Sequence, residues 1–459
     1  MKRPLLLITM IALGLSLSAI SLEESLQMAK SNNKTLLMAK EDVFKADETY
    51  KDVRGNLLPQ LSLQGAYSLS KTYLPDSAVP SFGSISSYLD DTTASDNDYI
   101  LAGAMDAMIS SMIPSSPKNE GSLALQLKMD QVLFLGGKLI NGIKAVDRFR
   151  SVQKLRYSLT EEQIILETTK LFYQTILAGK LAEIQAEGLK TAQRHLNRVE
   201  VFNQEGQVSE FDLLRARLEV AKLQPELLAA QNQYELALAA FRKQIGTDDP
   251  DVVPDGEFVL PESFKISLED ALAAGKKNRT ELELVDISTQ IMQIKYNAEK
   301  GNYLPNVALS ADYSLYTAAD ELAIQRDDFG SRFSVGIGFQ IPLFTGLSNT
   351  SKRNYAKHDL IQAKLQQRDA EELIELQIKQ NHQKLEHAWQ NYEVQQQNIR
   401  LAERSLELAQ VRYENQVGIQ LEVFDAQIML SAIKLQYFNA IFEVIAAERD
   451  FQKSIGNPL

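Results

Sequence analysis

The chain has 459 residues, a formal charge of −12 and no cysteine. That composition excludes disulfides, thiolate metal sites, cysteine nucleophiles and a lipidated N-terminal cysteine. The acidic balance argues against a phosphate-backbone partner, so no nucleic acid is expected, and the length suits two or three ordinary domains or one large elongated one.

The chain opens with "MKRPLLLITMIALGLSLSAI", in which Lys2 and Arg3 precede a short apolar stretch ending in small residues. A membrane span needs about 20 apolar residues, so residues 1–19 read as a signal peptide cleaved near Ala19, the alternative being an uncleaved anchor. No later segment reads as a helical span, which leaves β-strands as the route into a bilayer. Residues 21–54 read as one helix. It ends at "GNLLP", where Pro59 opens a strand with Leu61, Leu63, Gly65, Tyr67 and Leu69 on one face and Gln60, Ser62, Gln64, Ala66 and Ser68 on the other. A long loop follows. In it Met105, Met108 and Met112 have helical spacing, which suits an apolar capping helix better than a soft-metal site. A second alternating strand holds Leu123, Leu125, Leu127 and Met129, and residues 137–202 then read as a long helix. The turn "NQEGQV" leads into another helix, in which Pro225 predicts a kink. Residues 247–266 are acidic and Pro-rich, a linker by composition.

The remainder repeats the first part. Ser21-Leu22-Glu23 recurs as Ser267-Leu268-Glu269, and Gly55, Asn56, Leu58 and Pro59 recur as Gly301, Asn302, Leu304 and Pro305, at a constant offset of 246. From Leu133-Phe134 and Leu343-Phe344 onward the offset is 210, and it persists to Gly246 and Gly456. Two copies of one unit therefore span residues 20–246 and 267–459, and the first holds about 36 extra residues between its strands. Strand residues Val307, Leu309, Ala311, Tyr313 and Leu315, then Phe333, Val335, Ile337, Phe339 and Ile341, again form apolar faces. In the long helix of the second copy, Leu385, Ala388, Tyr392, Gln395, Ile399, Ala402, Leu406, Ala409 and Tyr413 step alternately by three and four, a coiled-coil seam. Four half-apolar strands cannot close a barrel, since single-chain membrane barrels begin at about eight. Either several chains share one barrel, or the sheet packs on the helices of a soluble periplasmic coiled-coil scaffold.

The duplication, "GNLLP" and "GNYLP" before a strand, "LFLGGK" and "PLFTGLS" after the second strand, and "SEFDLLRA" and "LEVFDA" after the turns resemble the TolC-like family of outer-membrane efflux proteins. The resemblance implies a mixed α and β fold. Long antiparallel coiled-coil-like helices would form a periplasmic tunnel, and four strands per chain would contribute to a homotrimeric twelve-stranded transmembrane barrel. It also implies a passive exit duct in the cell outer membrane, within a tripartite efflux or type I secretion system. Its partners would be a periplasmic adaptor, an inner-membrane pump and outer-membrane lipid. No cofactor, metal or enzymatic activity is expected. Exporters of proteins and of small molecules share this architecture, and the sequence does not separate them.

In the family, acidic residues at the positions of Glu422 and Asp425 line the narrow periplasmic end of the tunnel, so three chains would make a carboxylate ring favouring cations. The plainer reading is that acids near a helix start complement its dipole. Asp212 is the first-copy counterpart of Glu422, and its plainer reading is a capping box with Ser209. Tyr413 resembles the aromatic member of the family's closing hydrogen-bond network. Gly418 stands where some members have an arginine, and Arg215, aligned with Asp425, is a possible replacement cation. Gly136-Gly137-Lys138 imitates a P-loop, but Val132 and Leu139 occupy its defining positions. His382 and His387, five apart, are poor co-ligands and read as solvated.

Overall fold

A computed structural model describes residues 18–72, 84–112, 118–261, 266–319, 329–415 and 417–457. Of the expected signal segment, residues 1–19, only Ser18 and Ala19 lie among them. The chain divides into two units, one of residues 1–50, 144–295 and 355–459, the other of 51–143 and 296–354.

The first unit is mainly helical. Helices α4 (Lys138–Gln204) and α8 (Ser348–Glu414) have 67 residues each, and α5 (Glu210–Ile245) and α9 (Gln420–Ser454) follow them after tight turns. α5 runs through Pro225 as a single helix. Phe172, Phe241, Ile378, Leu385, Val444 and Phe451, drawn from all four helices, are essentially sealed from solvent and form one core. All nine seam positions of α8 are buried or half-buried, as the heptad predicts. α9 is long and apolar enough to cross a membrane by length and composition, contrary to the expectation that no later segment would be. Its Ile441, Val444, Ile445 and Phe451 instead belong to the shared core. His382 is half-buried with its ring edge-on to Phe451 at 5.9 Å, which corrects the solvated reading, whereas His387 is exposed.

The helix expected over residues 21–54 is two helices, α1 (Leu22–Asn32) and α2 (Lys34–Gly55). The break is made by Asn33, which is 5% exposed and extended. Its Oδ1 accepts from the N–H groups of Thr35 and Leu36, at 2.9 and 3.3 Å, while its Nδ2 donates to the Gln244 carbonyl at 2.8 Å. The second copy breaks at Arg279, between α6 (Leu268–Asn278) and α7 (Thr280–Lys300). There the guanidinium donates to the Lys453 carbonyl at 3.1 Å and lies 3.0 Å from Glu281. Both breaks thus supply a donor to a carbonyl at the end of a long helix, where backbone acceptors lack intrahelical partners. Asn33→Ala removes a cap and leaves a part-buried carbonyl without its donor, so thermal unfolding in detergent is expected to show a loss of about 1–3 kcal/mol.

The acidic stretch between the copies is more than a spacer. Its β4 (Val252–Pro254) pairs in parallel with β1 (Ser18–Ile20), and Phe258 stacks on Tyr173 with centroids 6.0 Å apart.

The second unit holds a four-stranded antiparallel sheet of β2 (Gln60–Thr72), β3 (Lys118–Leu135), β5 (Asn306–Ala319) and β6 (Gly330–Gln340), ordered β2-β3-β5-β6. Alternation along each strand becomes continuity across the sheet. Leu63 faces Leu127, Leu127 faces Tyr313, and Tyr313 faces Phe333; in the next row Leu61, Met129, Ala311 and Val335 are aligned. One face is therefore apolar from edge to edge. It is open in the single chain, with Leu63 and Phe339 73% and 75% exposed. The other face carries Ser62, Lys128, Asp312 and Ser334 in one row, with Ser334 donating to Asp312 and the Ser68 and Ser122 hydroxyls 2.9 Å apart.

Part of the first copy's extra sequence folds as a short 3-10 turn (Ile85–Tyr88) and α3 (Asp96–Met112), the helix that the methionine spacing predicted. Asp106 ties them together by accepting from the Ser84 hydroxyl and the Ile85 N–H, both at 2.6 Å. These bonds hold its carboxyl down to about 2.

Candidate functional site

The four predicted residues all lie in the helical unit, at the end where α4 turns into α5 and α8 into α9. The first turn is closed by local chemistry. Gly206 adopts φ +72°, Asn203 Nδ2 donates to the Val208 carbonyl at 3.1 Å, and Ser209 starts α5 with a reciprocal capping box. Asp212 is the other half of that box, accepting from the Ser209 hydroxyl at 2.6 Å. The plainer reading of Asp212 is thus satisfied, and its carboxylate still borders an open space.

That space is a cavity of about 490 Å³ between the two helix pairs, and Asp212, Arg215, Tyr413 and Asp425 all line it. Its apolar wall includes Val199 and Phe202 from α4, Ala216 from α5 and Phe424 and Ile428 from α9, and Phe424 also packs with Ala192 and Val220 in a small buried cluster. The His195 ring lies flat on Phe424, with centroids 4.6 Å apart and planes 14° from parallel. Burial and the nearby Arg198 cation push the His195 pKa down, and only Asp425 favours its charged form. The imidazole is therefore held toward neutrality, which suits a stacked ring.

Two contacts bridge this end. Arg198 Nη1, on α4, donates to the Tyr413 hydroxyl at 3.3 Å, joining the first copy to the second. Arg412 lies 3.4 Å from Glu422 across the turn between α8 and α9. Gly418 leaves room for that ion pair, since a Cβ there would stand 2.9 Å from Glu422 Oε2 and 3.0 Å from Arg412 Cβ. Within α5 and α4, Arg217 also pairs with Glu200, at 3.0 Å.

The structure therefore brings Asp212, Tyr413 and Asp425 to one cavity and draws Glu422 aside to a local cation. Glu422 and Asp425 share a helix face, as their spacing predicts, but they have different neighbours. The cation meeting Tyr413 is Arg198 rather than Arg215, although Arg215 lines the same cavity. Sequence reasoning missed Arg198, His195 and Phe424. The repeat offers no signal for them, because Leu408 occupies the position 210 residues after Arg198. Arg412 was findable in principle, as a cation just before a turn with an acid just after it.

The family model described as outer membrane efflux protein matches residues 25–247 and again 275–457, once on each copy. Outer membrane protein TolC of Salmonella enteritidis is 21% identical over 462 residues, covering 97% of this chain and 85% of the relative. Outer membrane efflux protein BepC of Brucella suis is 22% identical over 342 residues, covering 72% of this chain and 71% of the relative. Among solved structures, the chain is similar to the CmeC outer membrane channel of Campylobacter jejuni, with a TM-score of 0.73 and 16% identity over 95% of this chain and 85% of that one. It is also similar to the open state of the MtrE outer membrane channel of Neisseria gonorrhoeae, with a TM-score of 0.71 and 16% identity over 95% and 89% of the two chains.

Proposed function

Because the chain belongs to the outer membrane efflux protein family, we propose that it is the passive exit duct of a tripartite efflux or type I secretion system, seated in the outer membrane. An inner-membrane pump supplies the energy, and a periplasmic adaptor joins pump to duct. Residues 1–19 serve as the export signal, residues 20–246 and 267–459 as the two structural repeats, and residues 247–266 as their connection.

The observation that carries the reading is the uncovered apolar face of the four-stranded sheet. Burying apolar area is the main favourable term in folding, and a soluble protein does not leave so continuous a face in water. The scaffold alternative requires helices over that face, yet Leu61, Leu63, Val335, Ile337 and Phe339 are all exposed. Lipid satisfies them. Strands β2 and β6 are open edges, and a bilayer does not tolerate unpaired backbone groups. Three chains sharing twelve strands remove every edge and enclose the polar face around a lumen. The acids and Tyr413 at the helix turns then lie at the periplasmic mouth, as its constriction.

The purified protein in a planar bilayer is expected to give discrete single-channel conductance steps. A folded protein that stays in solution without detergent and gives no steps would return the scaffold reading.

A further inference from the structure

The internal repeat supplies the ladder that a single chain lacks. In the first hairpin Leu63 pairs with Leu127, Gln64 with Gln126 and Tyr67 with Leu123. Moving the first strand by 246 and the second by 210 turns these into Leu309 with Ile337, Ser310 with Gly336 and Tyr313 with Phe333. All three are pairs of the second hairpin. The copies therefore agree in register residue for residue. One further ladder, β3 with β5, joins the second hairpin strand of the first copy to the first hairpin strand of the second. Its counterpart would join the second hairpin strand of the second copy to the first of the first copy, β6 with β2, and these are the two edges of the sheet.

We propose that β6 of one protomer pairs antiparallel with β2 of the next in the register transferred from β3 and β5. Val335 then faces Leu69, Ile337 faces Tyr67, Phe339 faces Gly65 and Gln340 faces Gln64. These four come from the in-chain pairs Leu125–Leu315, Leu127–Tyr313, Met129–Ala311 and Asp130–Ser310. The inference rests on the shared-barrel reading and goes beyond it, fixing which residues meet. The chemistry agrees with the register. Apolar residues meet apolar ones, an aromatic ring covers a strand glycine, and two amides meet on the polar face. Lys71, the one charge on the apolar side of β2, falls opposite Phe333 near the strand end, where its long stem can carry the ammonium to water. A slip of one residue would turn every β2 side chain to the wrong face.

Four glycines give an independent sign. Inside the chain, Gly136 and Gly301 touch so closely that a Cβ on either would stand 2.2 or 2.1 Å from the other's carbonyl oxygen. Their repeat counterparts are Gly346 and Gly55. Gly346 has nearly the same φ as Gly136, +59° against +60°, yet a Cβ on Gly346 or on Gly55 would meet nothing within 4 Å. The same backbone contact is built into both sequences and is completed within the chain only once. The other is Gly346 against Gly55 of the next protomer.

The absence of cysteine makes the test direct. Gln64→Cys with Gln340→Cys is expected to oxidise into covalent dimers and trimers, because paired Cα atoms lie within disulfide reach, about 4.4–6.8 Å. The in-chain equivalent, Asp130→Cys with Ser310→Cys, calibrates the geometry and should close within single chains. Ser68→Cys with Gln340→Cys, four residues out of register, should give at least tenfold less product. Gly55→Val should keep the protomer's circular dichroism and lower the trimer fraction about tenfold, whereas Gly301→Val should damage the sheet itself. Cross-linking favouring the shifted pair, or full trimer from Gly55→Val, would overturn the register while leaving the shared barrel intact. A failure of every variant and of the parent to give any oligomer would overturn the barrel reading as well.

Discussion

Arginine at Leu125 or Val335 is expected to impair assembly into the membrane far more than arginine at Ser122 or Ser334. The first pair lies on the apolar face, Leu125 aligned with Gly65 and Leu315 and Val335 with Ala311. An arginine facing lipid near the bilayer midplane costs about 2–4 kcal/mol, so three chains bring the penalty to about 6–12 kcal/mol per assembly. That is comparable to the whole stability of an ordinary domain. Leu125 has an added role, since its Cδ2 fills the space beside Gly65, 2.9 Å from where a Cβ would stand. Ser122 and Ser334 lie on the opposite face. There Ser334 already donates to Asp312, and an arginine at that position gains a counter-ion facing water. The readout is the yield of assembled trimer in the membrane fraction, which should fall sharply for the first pair and modestly for the second. Equal tolerance of all four changes would mean that lipid does not cover the apolar face.

Much of this sheet was legible because strand alternation is a local pattern and the duplication states it twice. The seam of α8 was legible for the same reason, each of its nine positions being set by a step of three or four. Other features are written in tertiary contacts that no period records. Asn33 sits in a pattern that reads as continuous helix, without glycine or proline to mark an end. It breaks the helix because its side chain can cap α2 and reach the Gln244 carbonyl at once. Arg279 does the corresponding work with different chemistry, so even alignment of the repeats does not reveal the pair. At the turns, the capping role of Asp212 follows from Ser209 three residues earlier. The bond from Arg198 to Tyr413 joins residues 215 apart on helices of different copies, and neither the repeat nor any helix face brings them together on paper.

The charge that the proposed periplasmic mouth would carry gives the second large expectation, and its candidate acids have different neighbours in the structure. Glu422 has Arg412 at 3.4 Å, which compensates its charge locally, whereas Asp212 and Asp425 border the cavity beside Tyr413. In a trimer these two would place six carboxylates around one narrow cross-section, where a ring of one sign attracts counter-ions and repels co-ions. Asp212→Asn with Asp425→Asn is therefore expected to lower cation-over-anion selectivity strongly and to weaken block by multivalent cations from the periplasmic side. Glu422→Gln alone should change selectivity little. Arg412→Gln should raise it, by releasing the Glu422 charge. If these acids served only their helices, the double change would instead show as lost capping at Asp212, about 0.5–2 kcal/mol, with ion preference untouched. The two accounts separate in one measurement, the reversal potential under a salt gradient across a planar bilayer. A value that does not move in the double variant would remove Asp212 and Asp425 from the conduction path and leave the channel reading to stand on the sheet alone.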